Sequence, residues 1–310
     1  MRTASLAAAF AVALLPGPLA AQSLNGFDLR GALVDPGRIH QGGPPRDGIP
    51  AIDRPKFVAA GRPKLDAGDR VLGVALNGEA KAYPVRILNW HEVVNDKVGG
   101  APVAVTYCPL CGSGVTFSAL VDGKPRSFGV SGLLYNSDVL LYDRETGSLW
   151  SQLLAQAVTG PAKGAKLEIV PTAHTSWEDW HARHPGTLVL SEDTGYARNY
   201  ARDPYAGYDV SPIVFFPVAN ASARFDSKEV VLGVEIDGRR KAYPFVELEK
   251  TDGSVADRIG GRDVRIAYDR RHRTARVLDA SGKELPGVVS YWFAWYAFYP
   301  QTAVFYAGGR

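Results

Sequence analysis

Apolar and polar residues alternate in short runs along most of this chain, and turn residues punctuate the runs. That pattern predicts strands rather than long helices. Residues 70–76 read as a strand, Asn77-Gly78 as a type I′ turn and residues 80–83 as the return strand. Pro84 suits the start of a short helical turn over 84–88. Residues 91–96 and 102–107 read as a second hairpin around Gly99-Gly100. Further on, Thr175 or Ser176 can cap a helix that has Glu178 and Asp179 in its first turn and stops at Pro185. Trp177 and Trp180 share one face of that helix and are expected in the core. Leu188-Val189-Leu190 follows as a strand.

Much of this pattern recurs. Val71-Leu72-Gly73-Val74, Gly78 and Lys81-Ala82-Tyr83-Pro84 return as Val231-Leu232-Gly233-Val234, Gly238 and Lys241-Ala242-Tyr243-Pro244. One residue of slip later, Asp96 to Gly100 matches Asp257 to Gly261, and Tyr107 matches Tyr268. Trp177, Trp180, Pro185, Thr187 and Val189 match Trp292, Trp295, Pro300, Thr302 and Val304. The expectation is a mainly β (α+β) protein: two repeated β-rich modules with short helices, packed as one globular unit.

The boundaries follow from where the repeat starts and stops. Residues 70–190 form the first module and 229–310 the second, degenerate one. The first holds an insert, with Gly132 to Asp138 followed by a hairpin over 139–152 that turns at 143–147. The connecting segment 191–228 interleaves Tyr196, Tyr200, Tyr205 and Tyr208 with Arg and Asp. A long irregular stretch with this aromatic content is expected to pack across the first module. Residues 22–69, rich in Pro and Gly, read as an extended N-terminal arm.

Residues 1–21 have a different character. Arg2, the apolar run from Leu6 to Leu15, the Pro16-Gly17-Pro18 break and Leu19-Ala20-Ala21 read as a cleaved signal peptide. The run is too short for a transmembrane helix, and no integral membrane segment is expected in the mature chain. The protein is therefore expected to be exported, periplasmic or secreted. Its net charge of +3 is small and spread out, which gives no footprint for nucleic acid.

The two cysteines, Cys108 and Cys111, lie in Tyr107-Cys108-Pro109-Leu110-Cys111-Gly112. A bridge between them closes too small a loop to stabilise a long chain, so their use is expected to be chemical. A thioredoxin-type motif needs a helix after the first cysteine. Here Gly112-Ser113-Gly114 and the strand-like Val115-Thr116-Phe117 follow. The motif reads better as a metal-binding knuckle, whose remaining ligands must be His or carboxylate. If Asp96 faces Ala101, His91 faces Thr106 on the sheet face of Cys108 and becomes the expected third ligand, the alternative for a lone His beside Trp90 being a satisfied, partly buried histidine. A one-residue slip would remove it. In the second module Cys108 matches Asp269, Cys111 matches His272, and the region of His91 matches Thr251-Asp252.

Other candidates are weaker. His174 can complete a ligand set if the insert folds over the knuckle. His181, His184, His272 and His40 read as surface or arm residues. Tyr135, Asn136, Asp138 and Gln152 form a second candidate polar site, with turn capping as the alternative for Asn136 and Asp138. The chain carries no nucleotide-binding loop, no Gly-x-Ser-x-Gly elbow and no covalent haem motif.

Lys81-Ala82-Tyr83-Pro84, Trp90 to Asp96, Tyr107 to Gly112, Tyr135-Asn136-Ser137-Asp138 and Thr146 to Gln152 together resemble the prokaryotic family called domain of unknown function 3179. The resemblance covers most of the first module and implies a recurrent domain, but it supplies no reaction or catalytic residues. Three functions stay open on the residues. One is a thiolate–imidazole site for copper or zinc that leaves room for a small molecule or partner protein. The second is a periplasmic dithiol–disulfide protein, and the third a non-catalytic binding or scaffold protein with a Cys108–Cys111 disulfide.

Overall fold

The computed structural model describes residues 23–62 and 64–309. The expected signal peptide lies outside them. The chain is mainly β, with several sheets and four short helices among the described residues, packed as one globular unit. Strand Arg70–Leu76 pairs with Glu79–Pro84 through Asn77 and Gly78, whose φ angles of 50° and 83° fit the type I′ turn. Strand Val230–Ile236 pairs with Arg239–Pro244 in the same manner, with Gly233 opposite Ala242 as Gly73 is opposite Ala82.

Both glycines are required by an indole. A Cβ on Gly73 would lie 2.2 Å from the Trp180 ring, and one on Gly233 would lie 2.2 Å from Trp295. Each indole N–H donates to a threonine hydroxyl, Trp180 to Thr187 at 2.9 Å and Trp295 to Thr302 at 3.0 Å. Gly73→Ala is expected to destabilise the fold by about 1–3 kcal/mol, because a close-packed ring must shift. A urea midpoint equal to that of the parent protein would overturn this account of Gly73.

One sheet crosses between the halves of the chain. Its order is Ala303–Val304, Arg239–Pro244, Val230–Ile236, Val288–Tyr291, Ser113–Ser118, Ala101–Cys108 and Val93–Val98. The seam is the pairing of Val289 with Gly114. The insert forms a sheet of its own, in which Phe128–Tyr135 pairs with Asp138–Asp143 and the latter with Leu149–Ser151. The arm is stitched into this framework. Ile39–Gln41 pairs with Phe128–Tyr135, and Phe57–Ala59 pairs with Leu188–Leu190.

The second hairpin departs from its expected register. Gly99 and Gly100, with φ of 54° and 79°, make a two-residue turn that sets Val98 opposite Ala101. Asp96 therefore faces Val103, and Thr106 faces Val93. The preceding helix spans Val85–His91, so His91 is a helix residue and not a strand residue. Among the described residues no helix is long and apolar enough to cross a membrane.

Candidate metal centre

Cys108 is the last residue of its strand, and the Cys111 amide donates to the Cys108 carbonyl at 3.1 Å. Cys108 then pairs with Ser113, so the motif is a tight connection between two strands with no helix after it. Gly112 has a φ of 58°, and a Cβ there would press on the Tyr291 ring at 2.8 Å. The Tyr291 amide donates to the Cys111 carbonyl at 2.8 Å, so the second half of the chain braces the turn.

A second turn meets the first. Asn136 and Ser137, with φ of 53° and 65°, are the centre of a type I′ hairpin that pairs Tyr135 with Asp138. The Ser137 carbonyl lies 3.3 Å from Cys111 Sγ and 4.0 Å from Cys108 Sγ. Asp138 begins the return strand and turns inward. Its carboxylate and the two sulfurs offer ligand atoms that all lie within 4.8 Å of one another. All three residues are buried, and the cysteines are free thiols within the main apolar cluster of the core. Asp138 Oδ2 accepts from the Leu153 amide at 3.0 Å, while Oδ1 is buried with no hydrogen bond among the described residues.

Burial sets the electrostatics. It pushes the Asp138 carboxyl up to about 7, although backbone amides of Leu153 and Val139 and both thiols favour its charge. Burial also raises both thiols, Cys111 well above the ordinary range. Glu92 is pushed up to about 8 by burial and by the charge of Asp138, against a hydrogen bond from Tyr205. Glu92 occupies the left-handed position after the helix, with φ of 58°, and its carbonyl accepts from the Tyr107 amide. Gly253, with φ of 92°, accepts from the Tyr268 amide in the matching place of the second half. A buried, charge-capable side chain where glycine would be easier is a signal of use.

The expected ligand His91 does not join the sulfurs. Its Nδ1 lies 2.7 Å from the Pro50 carbonyl and its Nε2 2.7 Å from the Tyr200 hydroxyl. A carbonyl only accepts, so Nδ1 carries the proton and Nε2 accepts from Tyr200. Burial lowers the His91 pKa, which keeps the ring neutral and fixes this pattern. His91 thus ties the arm to the connecting segment. The physical cause is that the helix Val85–His91 runs through this residue and turns at Glu92, so the strand starts only at Val93, and Asp138 stands where a third ligand was expected.

The other candidate polar residues divide by role. Gln152 Nε2 donates to Thr106 Oγ1 at 2.8 Å, and its Oε1 accepts from Ser113 Oγ at 2.6 Å, so it clamps the strands beneath the cysteine turn. Asn136 Oδ1 accepts from the Ala219 amide, which docks the connecting segment. The half-buried Tyr135 packs edge-on against Phe298. His174 packs edge-on against Tyr107 and is held down to about 3 by burial. His272 bonds Ser176 through Nδ1. The connecting segment lies across the first half: Asn89 donates to Asp203, and the Trp90 indole donates to the Arg202 carbonyl.

Reading residues one by one missed Glu92 and the pairing of Asp138 with the thiols. The left-handed turn signal in Asn136-Ser137 was available, but the sheet that it faces was not. A family model described as "Protein of unknown function (DUF3179)" matches residues 46–302. No curated protein and no solved structure matches this chain.

Proposed function

We propose that this chain, which belongs to the DUF3179 family, is an exported protein that binds a transition-metal ion through Cys108, Cys111 and Asp138. One observation carries the reading: two thiols and a carboxylate converge in an apolar interior, with their ligand atoms all within 4.8 Å of one another. Three acids buried together resist ionisation, and a cation removes that cost. Zinc–sulfur bonds of about 2.3 Å put two sulfurs roughly 3.8 Å apart, which the ligand spacing accommodates with little movement. Zinc is favoured over copper(I), because two thiolates and a carboxylate need the larger charge and include a hard oxygen donor. Three protein ligands leave a fourth position for water or a substrate. The leader-like character of residues 1–21 supports export. The matched sequence blocks support a duplicated chain whose first module is the working one.

A dithiol–disulfide function is the second reading, favoured by the hydrogen bond between the two thiols and by Asp138 as proton acceptor. Burial weakens it, since a raised thiol supplies little thiolate. Elemental analysis of protein purified without added metal separates the two. About one equivalent of zinc or copper is expected. Less than about one tenth of an equivalent, with both thiols titrating freely, would sink the metal reading.

A further inference from the structure

A cleft of about 310 Å³ opens over the outer face of the cysteine turn, where Pro109 and Gly112 form part of its wall. Arg70 and Arg273 both line it, from different halves of the chain. The guanidinium of Arg70 is held by main-chain carbonyls. Nη1 donates to His272 at 2.7 Å, and Nη2 donates to His174 at 2.7 Å and to Arg273 at 3.3 Å. Among the described residues neither arginine forms an ion pair. Tyr107 stands beside Arg70 on the same wall, and its hydroxyl makes no hydrogen bond among the described residues.

We infer that this cleft binds a small anion, a carboxylate or phosphate group, held by Arg70 and Arg273 with the Tyr107 hydroxyl as a further donor. Most of the acids nearby are otherwise engaged. Asp203 accepts from Asn89 at 3.0 Å and from the Tyr205 amide at 2.9 Å. Asp209 also lines the cleft, and its charge acts on Lys228 and Tyr291. Asp179, near Arg70, is held by Arg183 and Thr175. Glu229, near Arg273, accepts from the Val246 amide. Burial lowers Arg70 to about 10, so an anion placed beside it would stabilise its charge. Three of the five N–H donors of Arg70 are spent on carbonyls, so it contributes mainly a fixed positive charge at the cleft wall, which favours an anion. The inference uses none of the three metal-ligand side chains and stands whether or not a metal is bound.

Isothermal titration of the full chain with inorganic phosphate and, separately, with succinate tests it, at constant ionic strength set with chloride. Saturable binding of at least one is expected, and the one that binds better names the headgroup. Arg273→Gln, on an exposed turn, is expected to weaken that binding about tenfold or more. Arg70→Gln is expected to do the same but also removes the link between carbonyls, so Arg273→Gln carries the test. Absence of saturation with both anions, or equal affinity in a folded Arg273→Gln protein, would overturn the inference.

Discussion

Zinc affinity is expected to fall by at least about a hundredfold when Cys111 is replaced by serine or Asp138 by asparagine. The estimate is a lower bound, since loss of an outer hydrogen bond to a ligand already costs about 10–100-fold. Cys111→Ser trades a soft thiolate for a poor ligand at nearly constant shape. Asp138→Asn keeps shape and removes the charge. His91→Phe provides the contrast: His91 bonds Pro50 and Tyr200, not the sulfurs, so zinc affinity should stay within about threefold while the connecting segment loosens. Competition against a chromophoric chelator measures all three. Parent-like affinity in Cys111→Ser would remove the site from the cysteine turn, and a large loss in a folded His91→Phe protein would return the imidazole to the ligand set.

The same Asp138→Asn change is expected to stabilise the metal-free protein, and to do so only as pH rises. The Asp138 carboxyl titrates near 3.8 in the unfolded chain and about 7 in the fold. Below about pH 4 it is protonated in both states and costs nothing extra. Between those values the folded state binds the additional proton, so rising pH weakens the fold. Above about 7 the cost is complete, roughly 4 kcal/mol for a carboxyl moved from 3.8 to about 7. Neutral asparagine escapes it. The parent curve alone would mislead, because His174, lowered to about 3 by burial, gives the opposite slope below about pH 6.5. The difference between parent and variant cancels His174 and reports Asp138 together with the groups that its charge raises, Glu92 and the two thiols. Urea unfolding with a chelator present, at pH 4.5 and pH 8, reads it. A difference that stays constant across this range would show that Asp138 is not held protonated by its surroundings. Zinc should reverse the comparison, since the ion needs the ionised ligands that the empty site suppresses.

These two results would also distinguish the architectural part of the site from its chemistry. Gln152 clamps Thr106 and Ser113 under the turn, and Tyr291 braces Cys111 from above. Neither offers a metal ligand. They hold the two turns in register so that the sulfurs and the carboxylate meet.

What the sequence determined by itself is local. Asn77-Gly78 and Gly99-Gly100 make two-residue turns because adjacent positive φ angles match the twist of paired strands. Cys108 to Gly112 had to be a strand-borne turn, given a strand before it and Gly-Ser-Gly after it. The matched Gly and Trp residues lie together in both places, each indole against its glycine. What only the tertiary structure decided is which local pieces face one another. The helix that runs through His91, and the arm and connecting segment packed beside it, gave its ring to Pro50 and Tyr200. Asp138 reached the sulfurs because the insert's own sheet packs its turn against the cysteine turn. Backbone pairing within a hairpin depends on neighbours in the chain. The approach of two turns 26 residues apart depends on every apolar contact that seats one sheet on the other, and no short motif encodes that sum.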